Sequence, residues 1–338
     1  MNAMEVVMKY YLAPMEGITG FVFRNAYHDY FAPMDKYFTP FISPNQNICF
    51  TPREYRDICP ENNRIPNVVP QILTNKAEDF IKTSKELKKM GYGEVNLNLG
   101  CPSKTVTAKR KGAGFLMEPD RLKAFFDRIF ENPCVRISVK TRLGMYETEE
   151  FLELLPIFNK YPIDELIIHP RVGKELYSGV PHRDMYFLAE KKSLNPLCYN
   201  GDLYCVEDVR GLSIKCLKEE GAEYGQEEKK TGAFMFGRGI LRDPWLVAKC
   251  RQGQKDSALF SDVGYIREFS DRLFSDYAQY MGEKNAMFRM KELWFYLIES
   301  FADSDANRKK LKKVQDRRGL NLVLQGLCAV FCENKNFF

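Results

Sequence analysis

Seven short segments place polar or basic side chains directly behind apolar, β-rich runs: Pro14-Met15-Glu16, Gln71, Asn98-Leu99-Gly100-Cys101-Pro102, Lys140-Thr141-Arg142, His169-Pro170-Arg171, Asn200-Gly201-Asp202 and Gly237-Arg238-Gly239. Gln71 and Lys140 offer an amide and an ammonium, which could hydrogen-bond a heteroaromatic ring. The glycines of the last two segments free backbone N–H groups to face a phosphate, and Arg238 adds charge. Cys101 has two readings. A thiol of ordinary pKa is mostly protonated at neutral pH and can act as an acid, but residue type alone favours a small residue ahead of a proline turn.

The spacing of these segments defines the scaffold. Strand-like runs cover residues 9–14, 37–41, 67–72, 94–98, 135–140, 165–169, 196–200 and 233–237. Their carboxyl ends advance in seven steps from residue 15 to residue 237, about 32 residues each, the size of a βα unit. Helical patterns at 76–90 and 119–130 fill gaps between runs. Eight such units predict an α/β fold, a (β/α)8 TIM barrel, whose active site lies at the strand carboxyl ends. No strand-anchored G-x-G-x-x-G opens the chain, which argues against a Rossmann domain. After Pro244 the strand signals stop and helical periodicity covers 263–280, 284–301, 305–316 and 320–332. The expected division is a catalytic barrel at 1–250 and an all-helical domain at 251–338, joined near 252–257. A polar stretch at 219–230 reads as a lengthened surface loop.

Composition excludes several classes. Of 338 residues, 45% are apolar and 28% charged, which is globular rather than disordered. No apolar run exceeds the six residues of 293–298, far below the roughly 20 that span a bilayer. The N-terminus has no secretory pattern, so no membrane is expected and the location should be cytoplasmic. Ten cysteines contain no C-x-x-C pair, and the closest two, Cys328 and Cys332, are four apart, so neither a metal site nor a disulfide framework is expected. The net charge of +5 is unevenly placed: residues 245–338 carry 16 Lys and Arg against 12 Asp and Glu, and residues 308–318 carry seven basic residues and one acid. Such a tail suits a polyanion, although a solvated basic face reads the same way. Lys104, Lys109, Arg110 and Lys111, followed by Gly112 and Gly114, make a basic loop whose glycines would let it move over a phosphate backbone.

Taken together, Ala-Pro-Met-x-Gly-Ile-Thr, Asn-x-Gly-Cys-Pro, the basic Gly-Ala-Gly loop, Lys-x-Arg, His-x-Arg, Asn-Gly-Asp and Gly-Arg-Gly resemble the tRNA-dihydrouridine synthases. The likeness is close over residues 10–250 and looser in the tail, where Met290-Lys291 and Trp294 echo a family pattern. It implies an FMN-dependent, NADPH-driven reduction of a tRNA uridine. By resemblance, the Pro14-Met15-Glu16 backbone, Gln71, Lys140 and His169 contact the isoalloxazine, while Asn200, Gly201, Asp202, Gly237 and Arg238 hold the phosphate. Cys101 becomes the proton donor to uracil C5, and Asn98, Lys104, Arg142 and Arg171 become substrate contacts. Glu16 and the Val180-Pro181-His182-Arg183-Asp184 stretch depart from the usual family residues.

Two other functions compete. A flavin barrel reducing a free small molecule would leave the basic tail and loop unexplained, and RNA-stimulated NADPH oxidation disfavours it. An inactive barrel that only binds RNA would have no use for Cys101, Lys140 and His169 together, and a yellow, FMN-bearing protein excludes it.

Overall fold

The computed structural model describes residues 8–218, 231–253, 263–301 and 304–335. Eight strands close into one barrel in chain order: β1 (Lys9–Leu12), β2 (Lys36–Ile42), β3 (Val68–Ile72), β4 (Glu94–Leu99), β5 (Arg136–Arg142), β6 (Leu166–His169), β7 (Leu197–Tyr199) and β8 (Thr231–Phe236). Every neighbouring pair is parallel, including the closing pair of β8 with β1. All eight expected strands are present, each within three residues of its expected ends. The 219–230 stretch lies outside the described residues, as do residues 254–257 of the expected junction.

Between strands run α1 (Phe21–Tyr30), α2 (Pro52–Ile58), α3 (Ala77–Lys89), α4 (Lys104–Thr107), α5 (Pro119–Phe130), α6 (Phe151–Phe158), α7 (Arg183–Lys192) and α8 (Val206–Lys218). Their sequences account for them. In α5, Pro119 occupies the first turn, where a missing N–H costs nothing. Leu122, Phe125, Phe126 and Ile129 then recur at helical spacing and are all buried. After β8 come α9 (Arg238–Arg242), α10 (Leu246–Gln252), α11 (Val263–Met281), α12 (Glu283–Leu297), α13 (Ser304–Lys313) and α14 (Arg317–Lys335).

By contact, the chain forms two compact units that do not follow chain order. The first holds residues 8–14, 34–202, 211–218 and 231–236, hence the whole barrel. Its core includes an apolar cluster in which Tyr11, Phe38, Val69, Ile167, Cys198, Ala233 and Met235 are buried. The second holds residues 15–33, 203–210 and the described residues from 237 onward, so α1 groups with the C-terminal helices. Aromatic packing explains that grouping: Phe31 meets Trp245, Tyr265 and Phe269 with ring centroids 5.2, 5.9 and 4.9 Å away. Trp294 donates its indole N–H to Ser270 Oγ at 2.9 Å. Lys291 donates to the carbonyls of Lys312 and Val314 at 3.0 and 2.8 Å, capping α13.

Candidate active site at the strand carboxyl ends

Barrel strands buried on both faces usually read as continuous apolar runs. β4 instead alternates as Glu94-Val95-Asn96-Leu97-Asn98-Leu99 and β5 carries Ser138 and Lys140. Register pairs Asn96 with Gln71 and Ser138, and Asn98 with Lys140. Neighbouring strands therefore present a polar seam on one face. Asn98 Oδ1 accepts the N–H groups of Gly100 and Cys101 at 3.0 and 2.9 Å, and Asn98 Nδ2 donates to Gln71 Oε1 at 2.7 Å. Gln71 Nε2 donates in turn to Asn96 Oδ1 at 2.8 Å. Each NH2 group has two protons, so Gln71 and Asn98 both keep one N–H for a bound acceptor.

Lys140 ends the seam. Its ammonium has no hydrogen bond or ion pair among the described residues. Burial pulls its pKa down to about 8, and the nearby Arg142 charge acts in the same direction. A half-buried cation without a partner is an incomplete site.

Arg142 and Arg171, read from sequence as substrate contacts, have other occupations. Arg142 is 1% exposed and donates to the carbonyls of Gly100, Val172 and Leu176 at 3.0, 2.8 and 2.6 Å. Arg171 is fully buried and donates to the Ser178 and Gly179 carbonyls at 3.1 and 2.7 Å, with Asp202 as its ion-pair partner. Together they fix the rim loops after β4, β6 and β7. A fourth contact runs from Arg171 Nη1 to His169 Nε2 at 3.0 Å. A guanidinium only donates, so Nε2 accepts in this contact. Asn200 donates to the Met235 carbonyl at 2.8 Å, and Gly201 passes close to the His169 ring, where a Cβ would lie 3.3 Å from Cδ2.

The basic loop differs from the expected hinge. Residues 104–107 form α4 and residues 112–117 a 3-10 turn. Asn75 Nδ2 ties the carbonyls of Lys109 and Arg110 from below at 3.1 and 2.9 Å. Ala113 N–H donates to the Cys101 carbonyl at 3.0 Å, so the glycine-bearing turn is anchored to the cysteine. Lys104, Lys109 and Arg110 are exposed and Cys101 is half-buried.

Four of the expected residues belong to the second unit. Met15 starts a tight turn: its N–H donates to Thr19 Oγ1 at 2.8 Å and its carbonyl accepts from Ile18 and Thr19 at 3.1 Å. Glu16 is exposed. Gly237 precedes α9, and Arg238 and Arg242 lie over the Tyr204 ring at 5.7 and 5.8 Å. In α13, Lys309, Lys310, Lys312 and Lys313 are exposed around the buried Leu311.

Sequence reasoning singled out Gln71 and Asn98 but not the residues beneath them, Asn96, Ser138 and Glu94. The signal was present: three polar residues at period two in a strand that should be apolar on both faces.

No helix of the described residues is long and apolar enough to cross a membrane. The family model Dihydrouridine synthase (Dus) matches residues 11–331. A Staphylococcus aureus (strain COL) protein named "Probable tRNA-dihydrouridine synthase" is 31% identical over 245 residues, which are 70% of each chain. "tRNA-dihydrouridine synthase B" of Pasteurella multocida (strain Pm70) is 27% identical over 237 residues, 70% of this chain and 67% of its own. The strand-end motifs, the closed parallel barrel and the span of this match agree, and the chain belongs to the dihydrouridine synthase family of oxidoreductases.

Proposed function

We propose that this protein reduces a uridine of tRNA to 5,6-dihydrouridine, with FMN as its cofactor and NADPH as the electron source. The observation that carries this reading is Lys140, a half-buried residue whose ammonium has no partner among the described residues, set beside two amides that each keep one N–H. Three unspent donors at the end of one polar seam fit the carbonyl and nitrogen acceptors of an isoalloxazine and a uracil. The names of the relatives support tRNA as the substrate.

When bound, FMN supplies the hydride that NADPH delivers to it. Lys140 and Gln71 would hold the ring, aided by His169 and the Pro14-Met15-Glu16 backbone. Asn200, Gly201, Asp202, Gly237 and Arg238 remain the proposed phosphate ligands, an assignment that rests on the family resemblance and on chain order. Asn98 would direct its remaining N–H to the uracil edge. Reduction breaks the C5–C6 π bond and forms two C–H bonds; C6 takes the hydride and C5 takes a proton from Cys101 Sγ. The thiolate left behind recovers its proton from solvent. Arg142 and Arg171 contribute by holding the loops that carry Cys101 and His169. The target base must leave the tRNA stack, at a cost of a few kcal/mol. Lys104, Lys109 and Arg110, with the lysines of α13 in the 251–338 tRNA-binding domain, would offset that cost through phosphate contacts.

The test is direct. Purified protein should be yellow, release FMN on denaturation, and oxidise NADPH faster when unmodified tRNA is added, with dihydrouridine appearing in that tRNA. A colourless protein, or flavin turnover indifferent to tRNA, would leave the reading without support.

A further inference from the structure

The pair Gln71–Asn98 is the upper part of a longer chain. Asn96 Nδ2 donates to Ser138 Oγ at 3.0 Å, and Ser138 Oγ donates to Glu94 Oε1 at 2.9 Å. Glu94 lies at the opposite end of the barrel interior, where it meets Lys36 Nζ at 2.8 Å and lines a cleft of about 620 Å³ together with Lys9, Asn67 and Arg136. A continuous path thus runs Glu94, Ser138, Asn96, Gln71, Asn98 and the N–H groups of Gly100 and Cys101. Its inner members are almost sealed: Asn96 and Ser138 are 0% exposed and Gln71 1%.

The direction of every bond is forced. An ionised carboxylate only accepts and a backbone N–H only donates, so both ends require each member to donate toward Glu94 and accept from the side of Cys101. Reversing the chain would turn Asn98 Nδ2 toward the N–H groups of Gly100 and Cys101 and break both bonds to the cysteine loop. Leaving it in place without the carboxylate leaves the Ser138 hydroxyl only the Val95 carbonyl at 3.4 Å, in place of a partner at 2.9 Å.

We propose that Glu94 and Ser138 are positioning residues for Cys101: the carboxylate at the far end of the barrel sets, through four intervening side chains, the orientation of the amides that hold the thiol loop. The importance of that orientation for proton transfer rests on the function proposed above; the coupling itself does not.

The experiment compares Ser138→Thr with Ser138→Val, which add the same methyl group while only the first keeps the hydroxyl link. The probe is iodoacetamide, and the readout is the alkylation rate of Cys101, followed on its own peptide by mass spectrometry in flavin-free protein. Ser138→Val should change that rate by about threefold or more relative to Ser138→Thr, the usual scale of coupling within one hydrogen-bond network. Glu94→Met, which removes the acceptor of the Ser138 hydroxyl, should change it in the same way, whereas Lys36→Met, which leaves that acceptor intact, should not. Equal Cys101 rates in the Thr and Val variants would overturn the proposal. If Ser138→Val does not fold, the Glu94→Met and Lys36→Met pair decides by the same criterion. Because no flavin or tRNA is present, a wild-type protein inactive on tRNA would defeat the function while leaving this result readable.

Discussion

Gly112 packs its α-carbon against the backbone of Cys101: a Cβ at position 112 would lie 2.7 Å from the Cys101 carbonyl oxygen and 3.0 Å from its Cβ. Gly112 also has φ +55°, where a side chain is strained. The glycine therefore forms the floor under the proposed proton donor. Its role is close approach, which the same residue type in a basic loop disguises as a hinge.

Gly112→Ala should accordingly displace Cys101, because the nearest atom it meets is the Cys101 carbonyl oxygen, which is backbone and cannot swing aside. The expected result is slower oxidation of reduced enzyme by tRNA, by tenfold or more on the order expected for a misplacement near 1 Å, with FMN retention intact. Gly91→Ala is the control. Gly91 also has a positive φ, +95°, but nothing lies within 4 Å of its added Cβ, so only a stability loss of about 1 kcal/mol is expected. Stopped-flow flavin absorbance and thermal melts separate the two.

Glu165 gives a pH dependence to stability. Its carboxyl is buried beside Tyr11, whose hydroxyl donates to it at 3.0 Å, with Lys36 at 3.8 Å and Glu94 and Lys9 also acting on it. Burial raises its pKa from 4.5 to about 7, only partly offset by Lys36. Between those values the folded state holds a proton that the unfolded state has released. Stability from this group is therefore complete below pH 4.5 and is lost as pH rises toward 7. Urea unfolding followed across this range should show the decline, and Glu165→Gln should flatten it. An unchanged slope in that variant would assign the decline to other groups.

Lys140 should give a second pH effect, this time on cofactor affinity. The free protein loses this charge as pH rises through about 8, and a neutral amine is a weaker partner for the ring acceptors. FMN binding should weaken from neutral to alkaline pH, with the midpoint near that value. Lys140→Arg, which stays charged, should bind FMN with a flatter profile; a wild-type profile without a step would remove Lys140 from the ring contacts.

The barrel was legible in the sequence because its signals are local: β-rich runs recurring at a constant step, with buried spacing such as that of α5 between them. The functional positions were legible to the extent that motif residues end strands. What escaped was contact at long range. Arg142 and Arg171 sit in basic motifs that read as substrate contacts, and only the folded chain brings the carbonyls of Gly100, Val172, Ser178 and Gly179 to their donors. The grouping of α1 with the helical tail escaped for the same reason, since Phe31 and Phe269 are 238 positions apart in the numbering and 4.9 Å apart in the fold.

The exposed lysines of α13 lead to a prediction about RNA. Reversing Lys309, Lys310, Lys312 and Lys313 to Glu leaves Leu311 and its packing untouched. Binding to tRNA should weaken and its salt dependence should fall by about one unit of slope for each phosphate contact removed. NADPH-driven flavin reduction should be unchanged, since that half-reaction needs no RNA. Equal tRNA affinity at moderate salt would make this a solvated basic face.

Cys101 carries the sharpest prediction. Its N–H and carbonyl are both engaged, by Asn98 and Ala113 at 2.9 and 3.0 Å, so backbone bonds that do not depend on the thiol hold the loop. Cys101→Ala should therefore keep the loop, the FMN and the rate at which an artificial acceptor drives NADPH oxidation. The tRNA half-reaction alone should slow, by about 10²–10⁴-fold, the range for a lost general acid. Serine preserves size but is a much weaker acid than a thiol, so Cys101→Ser should rescue little. Single-turnover oxidation of pre-reduced enzyme by unmodified tRNA isolates that step from flavin reduction. Wild-type rates in the alanine variant would make the cysteine a packing residue ahead of Pro102, the reading that residue type alone favours, and loss of flavin from it would do the same.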